Sequence, residues 1–194
     1  MAISRFRFGR TPDILRRHTM CVSLLKACSP ETFGTLSVFG ADILSINAAL
    51  VTNYSASAPA AYRYTQPATT LQNATFCNIT VSYTHPGQND NVSVEAWLPV
   101  DNFNGRLQAV GGGGWVAGRF FLSYNAMNGA VADGYATITS DAGLLGAPYS
   151  WALPSPGNVN LHLLQNLGSV SLNDQVGGAT QHLLSDHIVE DPPR

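Results

Sequence analysis

From Phe76 onward the chain alternates with a period of two. Cys77, Ile79, Val81 and Tyr83 fall on one side of an extended backbone, and Asn78, Thr80 and Ser82 fall on the other. This pattern predicts a half-buried strand with Asn78 facing outward. A second alternation follows, with Val92, Val94, Ala96 and Leu98 on one face and Asn91, Ser93, Glu95 and Trp97 opposite. Between the runs, His85-Pro86-Gly87-Gln88-Asn89-Asp90 is turn chemistry: Pro fixes φ, Gly supplies positive φ, and Asn and Asp tolerate turn conformations. The two runs predict an antiparallel hairpin.

After a turn at residues 101–105, Arg106 to Val110 reads as a short apolar strand. It ends in the consecutive glycines Gly111, Gly112, Gly113 and Gly114, followed by Trp115. Tyr124, Met127, Ala130 and Val131 then recur at three- and four-residue spacing, one buried face of a helix that Gly134 is suited to end. Residues 135–139 return to a strand. Strand, glycine loop, helix and strand in this order predict a β-α-β unit with parallel strands and a right-handed crossover, and so an α/β fold. Ser140-Asp141-Ala142-Gly143 falls at a strand's carboxyl end, where α/β proteins place ligands, and Asp141 reads as a loop or cap residue there.

The flanks are less patterned. Residues 28–74 are rich in Ala, Ser, Thr and Asn, with Pro30, Pro59 and Pro67 spaced through them, and show no sustained period. They predict a wrapping arm. A Cys28–Cys77 disulfide would fasten it, closing a loop of about fifty residues for roughly 4 kcal/mol and leaving Cys21 as the free thiol. Downstream, residues 146–158 form a Pro- and Gly-rich loop around Trp151, and residues 160–174 have helical potential. Residues 175–194 read as a divergent tail too brief to demand burial, and residues 1–27 as an atypical basic segment. His182, Asp186 and His187 match no full ligand set, so no metal site is expected.

Composition narrows the classes. With 45% hydrophobic and 11% charged residues the chain has enough apolar material to fold and little self-repulsion to oppose it. The net charge of −2 hides an asymmetry: Arg5, Arg7, Arg10, Arg16, Arg17 and Lys26 stand against Asp13, while from Glu31 onward four basic residues face eleven acids. That acidic body gives no electrostatic reason for a nucleic-acid partner. No run of eighteen apolar residues exists to span a membrane, and the basic start is not a typical secretory signal. The sequons at Asn53, Asn73, Asn78 and Asn91 nevertheless favour an exported, disulfide-permitting compartment.

A glycine loop after a strand serves two chemistries. Without Cβ atoms the backbone can turn its N–H groups toward one point, as in the oxyanion hole of an α/β-hydrolase, with Gly112, Gly113 and Gly114 as donors. On this reading Gly113→Val should lower turnover of a complete enzyme by about a hundredfold. The same glycines also fit the loose dinucleotide pattern Gly-x-Gly-x-x-Ala, ending at Ala117, with Asp133 near the position of a ribose-binding acid.

Phe76-Cys77, Tyr83-Thr84-His85-Pro86-Gly87, Trp97-Leu98-Pro99, Asn104-Gly105-Arg106 and Gly111 to Trp115 together resemble the fungal tannase and feruloyl esterase family, in particular its feruloyl-esterase-B-like branch. The likeness continues through Gly134-Tyr135-Ala136, Ser140 to Gly143 and Asn166 to Asp174, so it covers about residues 28–174. The resemblance implies secreted carboxylic ester hydrolases with an α/β-hydrolase sheet, a calcium-binding lid domain and a Ser-Asp-His triad acting on aromatic (feruloyl or galloyl) esters. It also implies a Cys-Ser motif with a glycine-rich turn shortly after Asp174, which this sequence lacks. Cys28-Ser29-Pro30 is its one Cys-Ser pair, and no Gly-x-Ser-x-Gly occurs.

The expectation is an N-terminal part of a hydrolase sheet, without the triad, the lid, its calcium site or any cofactor. Such a chain should be inactive alone and prone to self-association through uncovered apolar edges. Two alternatives make distinct demands on the fold. A noncatalytic secreted binding protein should close its sheet, and a dinucleotide-binding domain should have a mainly parallel sheet with the glycine strand at its centre.

Overall fold

The structure is a computed structural model that describes residues 28–34, 36–63 and 66–178. The basic segment with Cys21, and His182, Asp186 and His187 of the tail, lie outside the described residues. Five strands form one sheet: β1 Asp42–Ala58, β2 Thr69–Thr84, β3 Val92–Pro99, β4 Leu107–Ala109 and β5 Ala136–Ser140, in spatial order β1-β2-β3-β5-β4. The first three pairings along that order are antiparallel, and β4 with β5 is parallel. Helix α1, Phe121–Ala132, connects β4 to β5. Short helices α2 (Pro148–Trp151) and α3 (Leu161–Gln165) follow, then a π-helical turn, Asn166–Val170, that runs into α4 (Ser171–Gly178).

The hairpin and the β-α-β unit stand where the alternation and the helical spacing put them. Asp90 builds the β2–β3 turn: its Oδ1 accepts from the His85 N–H at 2.8 Å and the Thr84 hydroxyl at 3.0 Å. Gly134, at φ +82°, ends α1, and its N–H donates to the Val131 carbonyl at 3.0 Å. A Cβ there would meet the Asn102 carbonyl oxygen at 2.5 Å, so only glycine fits.

Two sequence expectations fail here. The segment read as a wrapping arm contains a seventeen-residue strand, β1, paired along β2. Its period is masked by bulges between Ile43 and Ser45 and around Asn53, and by its place at the sheet edge, where every residue but Ala58 keeps some exposure. The second failure concerns Asn78, which is half-buried on a covered face instead of standing free in solvent. Its Nδ2 donates to Glu95 Oε1 at 3.2 Å, and its Oδ1 is buried.

The second failure has a plain cause, since each face of the sheet is covered. One face buries Cys77, Ile79, Val81, Tyr83, Val92 and Val94 against Phe33 and Leu36 of the leading segment. The other buries Phe76, Trp97, Val110 and Leu71 against Met127 and Val131 of α1. There Phe76 stacks on Trp97 with ring centroids 4.7 Å apart, and Tyr54 meets both rings edge-on. Such pairs contribute about 0.5–1.5 kcal/mol each beyond burial.

Cys28 and Cys77 form a disulfide with Cα atoms 5.6 Å apart, tying the leading segment to β2. Helix α4 runs through positions 174 and 175 without a break, and Gln175 is buried, donating to the Ile138 carbonyl at 3.1 Å. The dinucleotide reading does not survive the topology. Among the described residues one strand pair is parallel, and the glycine strand β4 stands at the sheet's edge.

Candidate functional site

Strand β4 extends its parallel ladder by one bond, from the Val110 N–H to the Ile138 carbonyl at 2.8 Å, and the glycines leave at its carboxyl end. They line a hollow of about 300 Å³ together with Val116, Ala117 and Ser140. Leu167, Ser171, Leu172 and Gln175 of the π-turn and α4 form its opposite wall. Gly111 to Gly114, Ser140 and α4 are thus brought together. Asp133 is not, because its carboxylate pairs with Arg63 at 2.6 Å.

The glycines are not equivalent. A Cβ on Gly112 would overlap the Val116 carbonyl oxygen and stand 2.5 Å from that of Ala117, so the loop folds back on this residue at a distance only glycine permits. Gly114 needs glycine for its φ of +62°. Gly113 needs neither: its φ lies outside the left-handed region and no atom lies within 4 Å of its Cβ position. A Cβ is therefore accommodated at Gly113, and Gly112 is the position where even a methyl group finds no space.

Both ends of the loop are fastened. The Ser123 hydroxyl of α1 donates to the Gly111 carbonyl at 3.0 Å. At the far end Gly118 lies against β5, where a Cβ would collide with Thr139 Oγ1 and approach the Ser140 carbonyl oxygen to 2.5 Å. Arg119 follows at φ +52°, which disfavours a side chain by on the order of 1–2 kcal/mol. Its N–H donates to Thr139 Oγ1, and its guanidinium donates to Glu95 Oε2 through Nε and to Asp141 Oδ2 through Nη1, each at 3.3 Å.

Glu95 is buried and fully engaged. It accepts from Trp97 Nε1 at 2.8 Å and Asn78 Nδ2 at 3.2 Å on one oxygen, and from the Tyr124 hydroxyl at 2.9 Å and Arg119 on the other. Burial works against the Arg119 charge, but the carboxylates of Glu95 and Asp141 outweigh it and hold its pKa above the ordinary value. Burial and the bond to Glu95 raise that of Tyr124. Asp141 fills the loop role read from the sequence, since its Oδ1 accepts from the Ser93 and Gly143 N–H groups at 2.9 Å each.

The opposite wall has its own anchor. His85 lies between two carboxylates, with Nδ1 2.6 Å from Asp90 Oδ2 and Nε2 3.2 Å from Asp174 Oδ2 at the middle of α4. Asn166 Nδ2 donates to Asp90 at 2.8 Å, and the Tyr83 hydroxyl donates to Asp174 at 3.2 Å. Burial alone would raise the pKa of Asp90, yet the bonds from His85, Asn166 and Thr84 hold it below the usual value. Burial, followed by the Asp174 charge, pushes Tyr83 upward.

Neither cluster was assembled from the sequence. The available signals were a glutamate in an otherwise apolar strand and a histidine in a Pro-Gly turn, but Arg119 stands 24 positions from Glu95 and Asp174 stands 89 from His85. Among the described residues no group of three or more His, Cys, Asp or Glu side chains is placed to hold a metal ion.

A mixed sheet whose glycine loop leaves a parallel edge strand beside the carboxyl end of its neighbour defines the entry part of an α/β-hydrolase sheet. Comparisons with known proteins agree. The chain is similar to a "Probable feruloyl esterase" of Arthroderma benhamiae, 45% identical over 113 residues, which are 56% of this chain and 20% of that protein. Its fold matches the tannin acyl hydrolase from Aspergillus niger with a TM-score of 0.61 and 25% identity, over 82% of this chain and 30% of the other. The chain thus spans about a fifth of the curated relative, and over that part the resemblance to the tannase and feruloyl esterase family holds. No protein-family model matches it.

Proposed function

We propose that this chain supplies the oxyanion loop and entry strands of a secreted serine carboxylic ester hydrolase acting on aromatic esters such as feruloyl or galloyl esters. The observation that supports this reading is the glycine loop at the carboxyl end of β4, lining the 300 Å³ hollow beside the end of β5. N–H groups of Gly112, Gly113 and Gly114 are the donors for the oxyanion that forms when an ester carbonyl is attacked, and each such donor is worth about a hundredfold or more in turnover. The sequence holds no Gly-x-Ser-x-Gly, and among the described residues the lining of the hollow includes no histidine and no acid, so on this reading the polypeptide alone releases no product. Secretion is favoured by the Cys28–Cys77 bridge and by the exposed sequons at Asn53, Asn73 and Asn91. Trp115, Phe121, Leu172 and Val176 are exposed around the loop, and the isolated chain self-associates through them and through β4.

The test is a chimera in which the 113 matched residues replace their counterparts in the Arthroderma benhamiae relative. It is expected to hydrolyse methyl ferulate, while the 194-residue chain gives no more product than a heat-denatured control. A folded, disulfide-bonded chimera without turnover, beside an active parent, would overturn the proposal. Turnover by the 194-residue chain itself would overturn its inactivity.

A further inference from the structure

Non-glycine residues with positive φ mark where a fold tolerates strain, and among the described residues four of the six are asparagines, which adopt this conformation readily. The other two are Arg119 and Ala142, and both flank the hollow: one ends the glycine loop, the other follows β5. A glycine at 119 would remove the strain, so the arginine side chain has to contribute what a glycine could not. It spans two carboxylates on different elements, Glu95 in the middle of β3 and Asp141 just after β5, and reaches neither through water. Its guanidinium carries Nε and Nη1 as separate donor atoms of one rigid plane, so it holds both carboxylates at a fixed separation that a single ammonium nitrogen does not impose. Gly118 beside it is pressed onto Thr139 and Ser140, so the span fixes the loop's exit against the strand end that borders the hollow.

We propose that Arg119 is a positioning residue that sets the geometry of the glycine loop, with Glu95 and Asp141 as its two anchors. The proposal rests on reading that loop as the oxyanion site. Arg119 does not line the hollow and touches no reacting group. It acts by holding Gly112 to Gly114 in place from the loop's far end, as Ser123 does from the near end. Tyr124, which shares Glu95 Oε2, keeps that carboxylate aimed at Nε.

Hydrogen exchange of the 194-residue chain, read by mass spectrometry at micromolar concentration, tests this without requiring turnover. The Val116 and Arg119 amides are hydrogen-bonded within the loop region, and the β2–β3 amides report the sheet. In Arg119→Gly, which relieves the backbone while removing the span, the peptide over residues 110–119 is expected to exchange at least tenfold faster, with residues 76–98 unchanged. Should that variant not fold, Arg119→Lys decides: it keeps a charge for Glu95 but loses the second arm, and faster loop exchange over an unchanged sheet is again expected. A loop changed by less than twofold, or loop and sheet accelerating together, overturns the proposal. In the chimera Arg119→Gly should lower kcat with little change in KM, and equal kcat would also overturn it. A chimera inactive even with Arg119 present counts against the esterase reading and leaves the exchange result standing.

Discussion

Gly112→Ala is the sharpest single perturbation of the loop. The added methyl would overlap the Val116 carbonyl oxygen and sit 2.5 Å and 2.7 Å from the carbonyl oxygen and carbon of Ala117, against ordinary carbon–oxygen contacts of about 3.3 Å or more. All three neighbours are backbone, so no side chain can rotate away, and the loop is held at Gly111 and Arg119, so it cannot swing clear. The loss should lie at the upper end of overpacking effects, about 3 kcal/mol. That is more than a hundredfold in the unfolding constant. Gly113→Ala is the internal control: with nothing within 4 Å and no positive φ, it should stay within about 0.5 kcal/mol. Gly114→Ala should fall between them, near 1 kcal/mol, from its φ of +62° alone. Urea unfolding followed by tryptophan fluorescence measures all three. The reasoning is refuted if Gly112→Ala is neutral, or if Gly113→Ala is as damaging as Gly112→Ala.

Three further outcomes are expected. Cys28→Ser should lower stability by up to about 4 kcal/mol, seen as a reduced denaturant midpoint, since it opens a loop of 49 residues; an unchanged midpoint would mean the leading segment docks without the bridge. The pKa of Asp90 is depressed from 3.8, so its contribution is present above that value and lost as pH falls through its lower folded value; Asp90→Asn should therefore weaken the fold at pH 7 yet lose less stability than the parent on acidification below pH 4. Parallel acid unfolding curves for the two proteins would contradict this. Expressed in a secreting host, folded protein should carry no glycan at Asn78, whose amide is engaged under α1, while Asn53, Asn73 and Asn91 are open to modification; peptide mapping that finds Asn78 occupied would refute the placement.

What the sequence disclosed and what it hid divide along a physical line. Runs of alternation around Cys77 to Tyr83 and Val92 to Leu98, and the helical spacing from Tyr124 to Val131, are local signals, and the structure has β2, β3 and α1 at those places. The position of the glycine loop followed from element order alone. Strand β1 was illegible because a bulge resets alternation, so a window across residues 42–58 averages two opposed patterns into none. Alternation predicts an outward Asn78 because it identifies two faces without saying whether one or both are covered, and it leaves the burial of Glu95 and Trp97 on the second face unstated. The Glu95–Arg119–Asp141 span joins residues that have no shared period and meet only after three strands and a helix have assembled.

The β1–β2 ribbon carries a consequence for how this chain can change length. Asn53 in β1 and Asn73 in β2, both in the left-handed conformation, each insert one residue on opposite sides of the same ladder. The two insertions cancel: Val51 pairs with Phe76 before them and Ala56 pairs with Leu71 after them, the same offset on both sides. They do not cancel for the faces. Ile46, Ala48 and Leu50 pack with the disulfide side of the sheet, whereas Tyr54, at the same parity, turns to the helix side, where its hydroxyl donates to Asn128 at 3.1 Å. Deleting either asparagine alone throws the far end of the ribbon out of step by one residue. Deleting both restores every backbone pair and yet points Tyr54 and Leu71 away from α1. The paired bulges therefore work as a phase inverter, and the two positions are free to be lost or gained only as a pair, and only if the helix face changes with them.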